Sequence, residues 1–325
     1  MKRFLVILLA LAMIFTLVGC GDGNAKDTAS DGEKKLKIGF IPLTLNNEFF
    51  ITMVKAAEEK AEELGVQLDV QATDQHADAS AQLEIVENMI TSGVDGIIIV
   101  PSSSEGLLSS LQRCKETGIP VINLDTRIEQ NVLDEAGIEV PFYGTDNYAG
   151  AELAGKAVVE QFAKGIETAI LTGIKGQESG EARRDGFLDA VEGHVNIVAE
   201  QSANWEVDQG YVATQNIITA NPDVKLIFSC NDGMAIGALR AVEEANKDIA
   251  IIGFDAISEA LNLVKEEKLY GTVAQFPAEM GIKSIENMVK LLNDEEAETY
   301  IDTGTKFITK DNVDEHIEYT KKYLD

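Results

Sequence analysis

Ten short apolar runs recur along this chain, each followed by a glycine or polar turn and then an amphipathic stretch, and no other feature restricts the fold as much. They lie at 37–43, 67–72, 96–100, 120–124 and 142–145, then at 168–172, 196–199, 226–229, 250–254 and 272–274. Strands that alternate with helices build parallel sheets, so the expected class is α/β. The run Ile97-Ile98-Ile99-Val100 has no polar alternate residue, which suits a strand covered by helices on both faces. The first helix is expected to place Phe50, Met53, Val54, Ala57, Ala61 and Leu64 on one face, with Gly65 as its stop. A later helix begins after Asp146-Asn147 and is expected to end near Gly165. At about 150 residues per domain, 325 residues make two domains, each able to bury a core. Segment 137–141 joins the two series of units, and the first crossing between domains is expected just beyond it. The tail after residue 295 is less regular, holding a short strand at 306–309 and a polar helix near 311–323.

The N-terminus specifies a compartment. Lys2 and Arg3 precede an apolar stretch over 4–18, shorter than the roughly 20 residues of a membrane-spanning helix, which reads as a secretory signal. It ends in Leu17-Val18-Gly19-Cys20, which resembles the lipobox of bacterial lipoproteins, so residues 1–19 are expected to be removed and Cys20 lipidated. Residues 20–35 are small and polar and form a tether. The protein is then expected to be anchored by lipid to the outer face of the cell membrane, with no other membrane contact.

Charge and composition exclude several classes. A formal charge of −28 opposes any nucleic acid, which needs a basic face to replace condensed counterions. Cys114 and Cys230 fall in different domains and read as small buried apolar residues. His76, His194 and His316 have no ligand or triad spacing, and no metal site or histidine-based nucleophile is evident. Gly173-Ile174-Lys175-Gly176 is not a phosphate loop, and Gly176-Gln177-Glu178-Ser179-Gly180 lacks the spacing of a nucleophile elbow. No cofactor and no catalytic residue are therefore assigned.

Open parallel sheets bind ligands beyond the carboxyl ends of their strands. Directly after the runs come the segment 44–50, then Asp125-Thr126-Arg127, the segment 176–184, Asn204-Trp205, Asn231-Asp232, Asp255 and Gln275. Planar hydrogen-bonding groups mixed with aromatic rings match a sugar, whose hydroxyls both donate and accept and whose C–H faces lie against rings.

Seven stretches carry a resemblance: TLNNEFF at 44–50, INLD at 122–125, GTDN at 144–147, SGEARRDGF at 179–187, FSCNDGMAIGALRA at 228–241, IIGFDA at 251–256 and TVAQFP at 272–277. In this order they resemble the type I periplasmic sugar-binding proteins of bacterial ABC importers, above all the ribose- and allose-binding ones, over about 36–309. The resemblance implies two Rossmann-like lobes with parallel sheets and three crossings, near Thr145, Gln275 and Asp302-Thr303. The lobes would comprise 36–145 with 276–302, and 146–275 with 303–325. Positions that match the family's ligand contacts are Asn47, Phe49, Phe50, Asp125, Arg183, Trp205, Asn231, Asp255 and Gln275. Arg127 is added to them, although ribose-binding relatives carry arginine directly after the aspartate and Thr126 intervenes here.

Plainer roles stand beside these. Asn47 also suits a helix cap, and Phe50 belongs to the apolar stripe, which leaves Phe49, about 100° away, as the better cleft-facing ring. Asp255 could cap the helix that follows it. Asp232 can serve as a cap and free Asn231 for the cleft, while Arg184 is expected to pair with Glu181 on the surface. Glu48, where many relatives have proline, either favours the first helix's N-terminus or alters the cleft rim, and Trp205 replaces a common phenylalanine.

The expected function is capture of a pentose, hexose or sugar alcohol by a monomeric solute-binding protein, closure on it, and delivery to an ABC permease. Alternatives are a sensor that presents its closed form to a chemoreceptor or kinase, and a secreted carbohydrate-active enzyme. A repressor of related fold would need a DNA-binding segment where residues 1–35 offer a signal and a tether.

Overall fold

A computed structural model describes residues 35–324 apart from 75 and 77. The signal, Cys20 and nearly all of the tether lie outside the described residues. The order of elements is β1 (Lys37–Ile41), α1 (Glu48–Glu63), β2 (Gln67–Val70), α2 (Ala79–Thr91), β3 (Gly96–Ile99), α3 (Leu108–Thr117), β4 (Val121–Leu124), α4 (Gln130–Ala136), β5 (Phe142–Gly144), α5 (Asn147–Gln161), β6 (Glu167–Thr172) and α6 (Glu178–Ala190). It continues with β7 (Asn196–Ser202), α7 (Val207–Ala220), β8 (Leu226–Ser229), α8 (Asp232–Glu244), β9 (Ala250–Asp255), α9 (Ser258–Lys265), β10 (Gly271–Ala274), α10 (Pro277–Leu292), β11 (Tyr300–Asp302), β12 (Lys306–Ile308) and α11 (Val313–Leu324).

All ten apolar runs are strands, and they divide between two six-stranded sheets of matching order, β2-β1-β3-β4-β5-β11 and β7-β6-β8-β9-β10-β12. Each is a doubly wound α/β layer, parallel throughout except where β12 runs antiparallel to β10. The run at β3 shows why no polar alternation is present. Ile98 joins the core shared with α1 and α10, while Ile97 and Ile99 join the core under α2 and α3, because successive strand side chains point to opposite faces. Cys114 lies under the first sheet and Cys230 at the end of β8 in the second; both are buried and free.

Local signals place most boundaries. Asn47 and Asp146 accept backbone N–H groups as caps of α1 and α5, and Gly65 takes the left-handed conformation (φ +70°) that stops α1. Leu64, expected on the apolar stripe, is the exposed C-cap instead. α5 ends at Gln161, earlier than expected, and Gly165 (φ +86°) belongs to the turn that follows. β11 was not legible: three residues are too few for a periodic signal, and the strand exists by pairing with β5 at the sheet edge.

The chain passes between the sheets three times, between β5 and α5, between β10 and α10, and between β11 and β12. The first and third passages are tied together, since Thr303 N donates to Gly144 O at 2.8 Å and Asp146 N to Asp302 Oδ1 at 3.2 Å. Both ends of the second passage remain within the helices and strands of their own sheets, with α10 packed closely on α1. A Cβ on Gly281 of α10 would lie 2.2 Å from Met53 O of α1, so the two helix backbones touch where only glycine fits.

Candidate functional site

Because the strands of both sheets end toward one another, their carboxyl ends face a common cavity of about 360 Å³ of empty space. One wall is built after β1 (Leu43, Asn47, Phe49, Phe50), β2 (His76) and β4 (Asp125, Thr126). The other is built after β6 (Gln177, Ser179, Arg183), β7 (Trp205), β8 (Asn231), β9 (Asp255) and β10 (Gln275). The backbone is shaped to present these groups: Asp125 (φ +59°), Trp205 (φ +69°) and Asp255 (φ +113°) all have positive φ, a conformation that costs non-glycine residues about 1–3 kcal/mol each. No sequence signal marked these three turns.

Arg183 is the hub of the second wall. Its Nε donates to Asn147 Oδ1 at 2.8 Å, and its Nη1 to Cys230 O at 2.8 Å and to Asp255 Oδ1 at 3.2 Å. The guanidinium lies 4.0 Å from the Phe254 ring centroid and 5.6 Å from that of Trp205. Gln275 Nε2 donates to the same Asp255 oxygen at 2.6 Å. Trp205 Nε1 donates to Gln177 Oε1 at 2.6 Å, which fixes the indole against the cavity. Facing it, Phe49 and Phe50 pack edge to face with centroids 5.1 Å apart. Two buried acceptors, Asp125 Oδ1 and Gln275 Oε1, have no partner among the described residues. A buried acceptor without a partner is costly unless something that enters the cavity satisfies it.

The two walls are also joined directly. Thr126 and Ser179 hydroxyls lie 3.2 Å apart, Gln177 Nε2 donates to Ser102 O at 2.6 Å, Glu178 N donates to Ser104 Oγ at 3.1 Å, and His76 Nδ1 meets Glu206 Oε1 at 3.1 Å. Glu48 Oε1 accepts from Ser258 N at 2.6 Å, so this carboxylate caps the start of α9 from the opposite wall. The cleft is therefore closed, and Glu48 belongs to its rim.

Nine of the ten residues singled out in the sequence line the cavity. Arg127 does not. Asn123 Nδ2 donates to Thr126 O at 2.8 Å and Asn123 Oδ1 accepts from Ile128 N at 2.9 Å, a loop that turns Thr126 toward Ser179 and leaves Arg127 exposed. The Arg127 guanidinium stacks on Phe142 at 4.0 Å instead. At α8 the expected cap is corrected, although Asn231 lines the cavity as expected. Asn231 is the cap, with Oδ1 accepting from Met234 N at 2.9 Å, and its Nδ2 donates to Trp205 O at 3.2 Å. Asp232 is buried and accepts from Thr272 Oγ1 and Ile257 N. Asp255 caps no helix, and Phe50 serves both the apolar stripe and the cavity. Arg184 stays on the outside as expected, but pairs with Asp185 and Glu200, while Glu181 accepts from Gly176 N. Leu43, His76, Thr126, Gln177 and Ser179 were not singled out as contacts, although all but His76 lie in or beside the segments at strand ends.

Burial dominates the electrostatics. It pushes the Asp125 carboxyl up against the pull of Arg183, and Asp255 up to about 7 against Arg183 and Gln275. Asp232 is raised further by burial and by the neighbouring Asp255. A carboxyl that holds its proton more tightly when folded contributes stability at low pH, and this contribution is lost as pH rises through its folded value. From pH 5 to 7 the ligand-free protein is thus expected to lose stability relative to Asp255→Asn, by up to about 1.4 kcal/mol per pH unit, and to level off above. Urea unfolding of the two proteins across this range provides the check, and parallel curves would contradict the assignment.

The residues of this cavity belong to a chain with close counterparts. A sequence profile described as a periplasmic binding protein domain matches residues 38–296. The ribose import binding protein of Bacillus subtilis is 31% identical over 313 residues, which covers 95% of this chain and 100% of that protein. The D-allose-binding periplasmic protein of Escherichia coli is 36% identical over 252 residues, 76% of this chain and 81% of that one. Among solved structures, an ABC transporter periplasmic solute binding protein from Actinobacillus succinogenes with bound D-allose superimposes with a TM-score of 0.82 at 36% identity, covering 86% of this chain and 100% of the other.

Proposed function

The chain belongs to the periplasmic binding protein family, and from that premise we propose that it captures a monosaccharide or sugar alcohol in the cavity between its sheets and delivers it to an ABC permease. The observation that carries this reading is the pair of unpartnered acceptors, Asp125 Oδ1 and Gln275 Oε1, on opposite walls of a cavity flanked by Phe49, Phe50 and Trp205. Acceptors on both sides call for a ligand with hydroxyl donors on both edges, and aromatic rings on both walls call for one with apolar C–H faces. Arg183, the cation in the cavity wall, is already paired with Asp255 at 3.2 Å, which disfavours phosphate and carboxylate ligands. Bonds between the two walls close the cavity, which excludes longer saccharides.

The ligand contacts are Asn47, Phe49, Phe50, Asp125, Arg183, Trp205, Asn231, Asp255 and Gln275, with His76 and Gln177 completing the walls. The two lobes, 36–145 with 276–302 and 146–275 with 303–325, rotate about the three passages. A sugar that touches both lobes binds the closed form more tightly, and this difference shifts the population toward closure. The closed edges are then the surface offered to the permease. Residues 1–19 are a signal, and a lipid on Cys20 holds the protein at the outer face of the cell membrane.

Thermal-shift screening against pentoses, hexoses, polyols and furanoses tests the ligand class. A ligand at a hundredfold excess over its Kd adds about 2.7 kcal/mol to the stability of the folded state. One chemical group of sugars is expected to raise the midpoint by several degrees, and scattering with that sugar is expected to give a smaller radius of gyration. Uniformly flat curves would count against a sugar ligand. Palmitate labelling that persists in Cys20→Ala would remove the anchor.

A further inference from the structure

The last helix, α11, comes after the final strand and lies beyond the 38–296 segment matched by the family profile. It packs against α9 and reaches α1, and so touches the layers of both sheets. Its beginning is held by the second sheet: Val313 is buried in that core with Ile317 packed beside it, Lys265 of α9 pairs with Asp314 at 2.7 Å, and Lys306 of β12 pairs with Glu315 at 2.9 Å. Its end is held by the first: Tyr323 is buried with Ala56 of α1 and Ala278 of α10, and Tyr319 and Ile282 pack on that cluster. Between the two, His316 and Tyr319 cover Phe276, with ring centroids 6.0 and 5.4 Å away. Phe276 is the residue after Gln275, whose side chain reaches Asp255 in the ligand cavity.

We propose that α11 is a clasp across the lobes, whose aromatic side positions the second passage and Gln275 while its last turn holds the first lobe, biasing the protein toward closure before any ligand arrives. The physical reason is geometric. Rotation about the three passages moves α1 and α10 relative to α9, and one rigid helix cannot keep its contacts with both. The contacts present here are made with the cleft closed, so opening exposes the buried face of Tyr323 or of Val313 to water, and that exposure opposes opening. The inference rests on the lobe motion proposed above, not on the identity of the ligand.

Small-angle scattering on the full-length, ligand-free protein tests it, comparing wild type with Tyr323→Ala, Tyr319→Ala and Tyr319→Phe. The phenylalanine variant removes a hydroxyl that has no partner among the described residues and is expected to match wild type. Both alanine variants are expected to show a larger radius of gyration with unchanged far-UV circular dichroism. Equal radii in folded alanine variants would overturn the clasp. Should either alanine variant lose helical signal, Ile282→Ala takes its place, because it removes the opposing contact from α10 without altering α11. No sugar enters the measurement. A wrong ligand class leaves its outcome unaffected, whereas lobes that fail to close on a confirmed ligand would refute the function and not the clasp alone.

Discussion

Replacing Arg183 with alanine is expected to abolish sugar binding and to destabilise the protein. The guanidinium is 4% exposed and supplies hydrogen bonds to Asn147, Cys230 and Asp255, so its removal takes this donor from two buried oxygens, Asn147 Oδ1 and Cys230 O, and leaves the Asp255 carboxyl with Gln275 but without its cation. Breaking a buried ion pair by removing one partner costs about 3–5 kcal/mol, because the remaining charge keeps its desolvation penalty. Part of that loss is relieved by protonation of Asp255, whose carboxyl is already pushed up to about 7. Affinity for the sugar found by screening should drop by more than about a hundredfold, equivalent to about 2.7 kcal/mol. Arg183→Lys keeps a charge but cannot address all three acceptors from a planar fork, and is expected to recover stability more than affinity. Calorimetry on the folded variants decides: alanine binding within tenfold of wild type would exclude Arg183 as a ligand contact.

Gly173→Ala should disable the same site without replacing any of its contact residues. A Cβ at this position would lie 1.9 Å from Trp205 Cζ2, and one at Gly180 would lie 3.0 Å from the same ring. The indole thus lies flat on two glycines. Adding the methyl forces Trp205 toward the cavity, which weakens the Nε1 bond to Gln177 and through it the Gln177 bond to Ser102 across the cleft. Overpacking of this kind costs about 1–3 kcal/mol, corresponding to about 5- to 150-fold in affinity if the displaced ring occupies the ligand's space. A phenylalanine ring is smaller than the indole and lacks the clashing atoms, so Gly173→Ala combined with Trp205→Phe is expected to bind better than Gly173→Ala alone. Additive losses in the double variant would show that the two positions do not act through contact.

Short-range chemistry made part of the site legible. Strand ends, caps and glycine stops are encoded by neighbours in the chain, and in an open parallel sheet the groups just past the strands must line the crevice, so Asn47, Asp125, Trp205 and Gln275 could be named from position. Adjacent residues were harder to separate. Arg183 and Arg184 differ by about 100° on α6, and the family match selected the one that lines the cavity, whereas at 231 and 232 the choice of cap was reversed because burial of Asp232 depends on Thr272 and on the loop after β9. Arg127 failed for a related reason: the left-handed turn at Asp125 and the bonds from Asn123 direct its side chain away from the cavity.

What the sequence determined alone was the architecture and the list of candidates, since alternation of apolar runs with amphipathic stretches has only a few packed solutions and those solutions fix which chain segments meet. The tertiary structure decided which lone pairs remain unused, which helix bridges the lobes, and which side chain of each adjacent pair faces the cavity. Those outcomes depend on backbone conformations and hydrogen bonds between residues 20 to more than 100 positions apart, such as Gln275 with Asp255 and His76 with Glu206, and a local pattern carries no record of them.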